Sequence, residues 1–187
     1  MKLAFALVLA TALAAGADDS IYHLTGAFRD QAGSNARLDV GRGHPVVMSM
    51  FYASCTETCP LLIAEIHRIE ESLTPALRGD VRIVLVSLDP ERDTPAALAK
   101  LAERHRVDQT RWRFLTGPDG AVREVAAVLG VRFRRLSTGA IDHSSVIAVI
   151  DRDGAIDTRV DAMAPGDPKR AVRVTTALKR VAARGLR

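Results

Sequence analysis

Cys55 and Cys59 are the only cysteines in 187 residues, and Thr56, Glu57 and Thr58 separate them. Two thiols at this spacing either close into a disulfide or chelate one soft metal ion. Thiolates select Cu(I), with Zn(II) as the other candidate. Structural zinc takes four protein ligands, two more than the pair supplies. Dithiol oxidoreductases usually carry two residues between their cysteines. The third residue here widens the pair toward chelation while leaving a disulfide within reach. A bridge across so short a loop adds little stability. A chain that is 48% hydrophobic has no need of such a staple, so the pair points to chemistry.

A third ligand is available in His143, within Asp142-His143-Ser144-Ser145 and directly before an apolar run at residues 146–150. A histidine in the loop entering that strand faces the end of the sheet where the cysteines lie. The alternative is a loop histidine bonded to backbone. His23, His44, His67 and His105 are read as structural, with His67 and His105 on helix surfaces and His44 in a turn before Pro45. Asp89, at a strand end on the cysteine side, is expected either to shape a turn or to support a metal ligand from behind. Asp93 is expected to form the turn and cap the helix beginning near Pro95. Arg132, Arg134 and Arg135 read as a solvated strand face, or as a docking surface for an acidic partner.

These residues need a scaffold, and the apolar periodicity outlines one. Residues 22–38 read as a hairpin around Asp30-Gln31-Ala32-Gly33, and residues 46–52 as a strand buried on both faces. Leu62, Ile66, Ile69 and Leu73 recur at helical spacing after Pro60. A second buried strand spans 81–87, a helix runs from Thr94-Pro95 to about Arg106, and a short strand covers 112–115. Residues 119–129 form a helix with Val122, Val125, Ala126 and Leu129 inward. Strands at 146–150 and 155–160 flank the turn Asp151-Arg152-Asp153-Gly154, and residues 167–184 close the chain as a helix. Together these elements predict an α/β three-layer sandwich, a central mixed β-sheet flanked by helices. Cysteines between a central strand and a helix N-terminus make the arrangement thioredoxin-like. The helix dipole and first-turn amides there favour thiolate.

Lys2, the apolar stretch to Ala15 and the small residues Ala15-Gly16-Ala17 predict a cleavable secretory signal over residues 1–17, with cleavage near Ala17; the alternative is an uncleaved membrane anchor, for which the stretch is short. No cysteine follows this stretch, so a lipid anchor there is not expected. The remaining 18–187 are expected to form one domain in the periplasm or another exported compartment. The formal charge of +4 is mild, the arginines are spread along the chain, and aromatics make up 4%. That pattern speaks against nucleic-acid binding. Membrane contact is expected only through a partner.

Three motifs in order give the chain a resemblance to the Sco/SenC copper proteins. They are the cysteine pair with Pro60 at residues 51–60, the stretch Val86-Ser87-Leu88-Asp89-Pro90-Glu91-Arg92-Asp93-Thr94-Pro95, and Ile141-Asp142-His143-Ser144, with Asp153-Gly154 following. The resemblance implies copper binding by Cys55, Cys59 and His143, as Cu(I) with Cu(II) as a further option. It also implies delivery to the copper-site subunit of a respiratory cytochrome oxidase or to another copper-accepting protein, or reduction of that partner's cysteines. The chain departs from the family pattern at Thr56-Glu57, where Pro-Asp is usual, and at Ala148, where an aromatic is common.

Three rivals to a copper chaperone remain at this level. A thiol–disulfide reductase would use Cys55 and Cys59 as a redox couple with little need of His143. A peroxidase would require a threonine before its cysteine and arginine support, whereas Ser54 stands there. An inert domain would carry the pair as a structural bridge.

Overall fold

The computed structural model describes residues 20–55, 58–162 and 169–185. The expected signal over residues 1–17, the Thr56-Glu57 departure and the expected helix start at Asp167-Pro168 lie outside the described residues. In chain order the elements are β1 (Phe28–Asp30), β2 (Asn35–Ala36), β3 (Val46–Phe51), α1 (Thr58–Glu71), α2 (Pro75–Asp80), β4 (Arg82–Ser87) and α3 (Pro95–Arg104). They continue as β5 (Trp112–Thr116), α4 (Asp119–Leu129), β6 (Phe133–Arg135), β7 (Ile141–His143), β8 (Val146–Ile150), β9 (Ile156–Asp161) and α5 (Arg170–Arg184). One sheet has the order β2-β1-β5-β4-β3-β8-β9. Its centre, β3, β4 and β5, is parallel, and the flanking pairings are antiparallel, which makes it the mixed sheet expected.

Every residue of β3 is buried, so both faces of the sheet must be covered. The crossovers β3-α1-β4 and β4-α3-β5 step the same way across the sheet. Their right-handedness puts α1 and α3 on one face. A contact of 3.2 Å between His67 Nε2 and the His105 carbonyl joins those two helices. α5 packs on β8, β9 and α1 through Val174, Ala177, Leu178 and Val181. That leaves α4, with Val122, Val125, Ala126 and Leu129 buried, to cover the other face. Thr74 and Thr94 cap α2 and α3, and each is followed by proline at the first helical position. α2 buries no side chain, so no apolar periodicity announces it.

Three local readings are corrected by the structure. Asp93 is not the cap of α3; Thr94 is, its hydroxyl accepting from Ala97 N at 3.3 Å, and Asp93 is buried. His67 is half-buried against Trp112, ring centroids 4.7 Å apart, rather than lying on a helix surface. The segment before His143 is not a loop. β6 and β7 form a separate antiparallel hairpin in which His143 ends β7 opposite Phe133.

Candidate metal centre

The cysteines sit where the central sheet ends. β3 stops at Phe51, whose carbonyl accepts from Leu88 N at 2.7 Å, and the chain turns with Cys55 N donating to Tyr52 O at 3.2 Å. α1 opens at Thr58, leaving its first-turn amides without helical acceptors. One of them, Cys59 N, donates to Cys55 Sγ at 3.4 Å, and Thr58 Oγ1 lies 3.2 Å from the same sulfur. Both cysteines are thiols; Cys55 is partly exposed and Cys59 is buried. The expectation that the helix end would favour thiolate fails at Cys59. Burial, with the neighbouring Cys55 adding to it, pushes that thiol well above its ordinary range, and hydrogen bonding at the Tyr52 backbone and Thr58 only moderates the effect.

His143 reaches the same place from the β6–β7 hairpin. An open cleft of about 640 Å³ is lined by Tyr52, Cys55, Thr58, Arg92 and His143, with the turn at 138–140 along its rim. His143 Nδ1 lies 3.1 Å from the Ser144 carbonyl. A carbonyl can only accept, so this bond puts the proton on Nδ1 and leaves the lone pair on Nε2, the form that ligates metals. Among the described residues no three His, Cys, Asp or Glu side chains converge tightly enough to enclose an ion. Cys55 and Cys59 adjoin, while His143 shares the cleft without closing on them. Two sulfurs and an imidazole are a donor set suited to a soft ion such as Cu(I).

The segment after β4 holds both halves of this arrangement. Asp93 Oδ2 accepts from Ala53 N at 2.9 Å and Ser87 Oγ at 2.5 Å, pinning the cysteine loop to the end of β4. Burial raises the Asp93 carboxyl above its ordinary range, against those two hydrogen bonds. Asp89, fully buried, pairs with Arg92 and, through its other oxygen at 2.8 Å, with Arg135 of β6. Arg92 also donates to the Gly139 carbonyl at 2.6 Å, inside the hairpin turn. Asp89 therefore grips the histidine hairpin, and Asp93 the cysteine loop. Arg132, Arg134 and Arg135 are all exposed, as a solvated strand face requires, yet Arg135 also pairs with the buried Asp89, and Arg134 pairs with Asp142 across the hairpin at 3.0 Å.

Tyr52 joins the halves directly. It is 9% exposed, its ring meets the His143 imidazole edge-on with centroids 5.7 Å apart, and its hydroxyl lies beside the Cys55 side chain and the Ile141 backbone. Neither Tyr52 nor Thr58 stood out in the sequence. The available signal was positional: Tyr52 follows the buried strand and precedes Cys55 by three, and Thr58 opens the helix.

A mixed sheet with two cysteines between a central strand and the following helix defines a thioredoxin-like protein. Within that class the chain belongs to the SCO1/SenC family, whose profile matches residues 17–180. It is 33% identical over 90 residues to the SCO1 protein homolog of Bacillus subtilis, a match covering 48% of this chain and 46% of that protein. The chain thus matches about half the length of that relative. Among solved structures it resembles Bradyrhizobium japonicum ScoI with copper bound, with a TM-score of 0.67, 22% identity, and coverage of 83% of this chain and 96% of that one. It also resembles BsSco, a member of the Sco family of cytochrome c oxidase assembly proteins in which a disulfide switch has been identified. There the TM-score is 0.69 and the identity 22%, covering 84% of this chain and 91% of BsSco. No helix among the described residues is long and apolar enough to cross a membrane.

Proposed function

We propose that this protein is an exported copper carrier. It holds Cu(I) on Cys55 Sγ, Cys59 Sγ and His143 Nε2 and releases it to an acceptor copper site of the kind assembled in a respiratory cytochrome oxidase. The observation that carries this reading is the shared cleft, in which Cys55 and a His143 with its Nε2 lone pair available stand together. Copper bound to a relative of the same fold supports it, and the leader pattern of residues 1–17 supports export. The chain's own residues do three things here. Asp93 fixes the loop that presents the sulfurs, Asp89 fixes the hairpin that presents the imidazole, and the open cleft lets an acceptor's ligand approach. Three donors leave a coordination position through which the ion can pass. X-ray absorption of the reduced, copper-loaded protein should show two sulfurs and one nitrogen; a spectrum without a nitrogen neighbour would refute the ligand set.

A second reading rests on the unequal exposure of the cysteines. In a thiol–disulfide reductase the exposed Cys55 sulfur, having given its proton to solvent, attacks a partner's disulfide and releases one partner thiolate. Cys59 then gives its proton to the thiolate first released and attacks the mixed disulfide, releasing the second partner thiolate and leaving Cys55–Cys59 oxidised. Two electrons pass to the partner. Both roles use the same sulfurs, so a molecule carrying copper cannot reduce at the same moment.

A further inference from the structure

The Cys55 sulfur lies among hydrogen-bonding groups that the carrier reading does not itself require. Thr58 Oγ1 is 3.2 Å away, a pair in which either group can donate, the Tyr52 hydroxyl lies beside the same side chain, and Cys59 N donates at 3.4 Å. Two of the three groups are hydroxyls, and both can be removed with little change of shape. Tyr52 is held from two sides, by its ring against His143 and by its burial at the end of β3, so its hydroxyl has little freedom to turn elsewhere.

We propose that the Tyr52 and Thr58 hydroxyls form a cradle that biases Cys55 and Cys59 toward the dithiol, keeping the pair able to take a soft ion in an oxidising compartment. A reduced sulfur is electron-rich and accepts hydrogen bonds better than a disulfide sulfur does. Oxidation by glutathione disulfide balances simply: the two protein thiols give up two electrons and two protons, one S–S bond forms, and the glutathione S–S bond breaks to give two glutathione thiols. The cradle weights this exchange toward the protein dithiol. It rests on the carrier reading for its purpose, because an exported pair without protection tends to oxidise.

The test equilibrates the wild type, Thr58→Val, Thr58→Ser and Tyr52→Phe with glutathione redox buffer, without copper, and reads the dithiol fraction by alkylation and mass spectrometry. Thr58→Val and Tyr52→Phe should each move the equilibrium constant toward the disulfide by roughly threefold to tenfold, the worth of one hydrogen bond. Thr58→Ser, which keeps the hydroxyl, should stay near the wild type. A constant for either variant within about twofold of the wild type, or displaced the other way, overturns the part assigned to that hydroxyl. Should Tyr52→Phe fail to fold by circular dichroism, the valine and serine pair at Thr58 decides alone. Cu(I) titration of the same proteins separates the two claims. A redox shift without copper binding removes only the carrier reading, and copper binding without a redox shift removes only the cradle.

Discussion

Asp93 accepts a hydrogen bond from the Ala53 amide at 2.9 Å, so a residue far along the chain fixes the turn that presents Cys55. Asp93→Asn can keep an acceptor oxygen for both Ala53 N and Ser87 Oγ, whereas Asp93→Ala strands those donors. The alanine variant should lose about 1–3 kcal/mol in chemical denaturation, and the asparagine variant clearly less. Equal losses would deny the bond its role.

The same carboxyl makes a pH prediction. Burial raises its folded-state pKa above the unfolded value of 3.8, despite the Ser87 and Ala53 hydrogen bonds. The folded protein therefore holds this proton more tightly than the unfolded chain does. Its contribution to stability is full below the unfolded pKa and is lost as pH rises through the folded one. Asp93→Asn should remove that decline, as seen in denaturation midpoints measured from about pH 3.5 upward.

Asp157 works with the opposite sign. The Arg180 hydrogen bond, opposed by burial and helped by Thr158 and Arg184, lowers its carboxyl below the ordinary value. The stability it lends to the packing of α5 on β9 is present above the unfolded pKa and lost as pH falls through the folded one. In Asp157→Asn the acid-induced fall in Tm below about pH 4 should become shallower. An unchanged profile would remove Asp157 from the acid transition.

Asp89 should govern the histidine hairpin rather than the whole fold. In Asp89→Asn, Arg92 and Arg135 lose their buried charge partner, and the β6–β7 amides should exchange at least about tenfold faster with deuterium. Amides of β3 and β4 should hold their protection. Uniform acceleration would mean that Asp89 supports the core and not the hairpin in particular.

Much of this was legible in the sequence, because buried strands and amphipathic helices announce themselves by period. The run Val46–Phe51 and the stripe Leu62, Ile66, Ile69 fall where expected. The β6–β7 hairpin was missed because its strands hold three residues each, are mostly polar, and pair with each other outside the main sheet. The long-range contacts of Asp89 and Asp93 were illegible for a related reason. Their partners, Arg135 and Ala53, lie 46 and 40 residues away, and no local pattern encodes such contacts. His143 stands out by its motif, whereas its tautomer needed the Ser144 carbonyl.

The cysteines should differ in reactivity. Cys55 is partly exposed, while Cys59 is 3% exposed with a thiol pushed up by burial. Iodoacetamide at neutral pH should modify Cys55 at least about tenfold faster than Cys59, as read by peptide mass spectrometry. The reverse order would exclude Cys55 as the attacking thiol of a reductase.

The central claim is that Cys55, Cys59 and His143 hold one Cu(I) together, and competition titration of the reduced protein against a Cu(I) chelator tests it most directly. The wild type should bind about one ion per chain, and His143→Ala should bind at least tenfold more weakly, the lower bound of about 1.4 kcal/mol expected when one ligand of a shared ion is lost. Equal affinities for the wild type and His143→Ala would contradict the three-ligand site and leave the cysteine pair to act without the histidine.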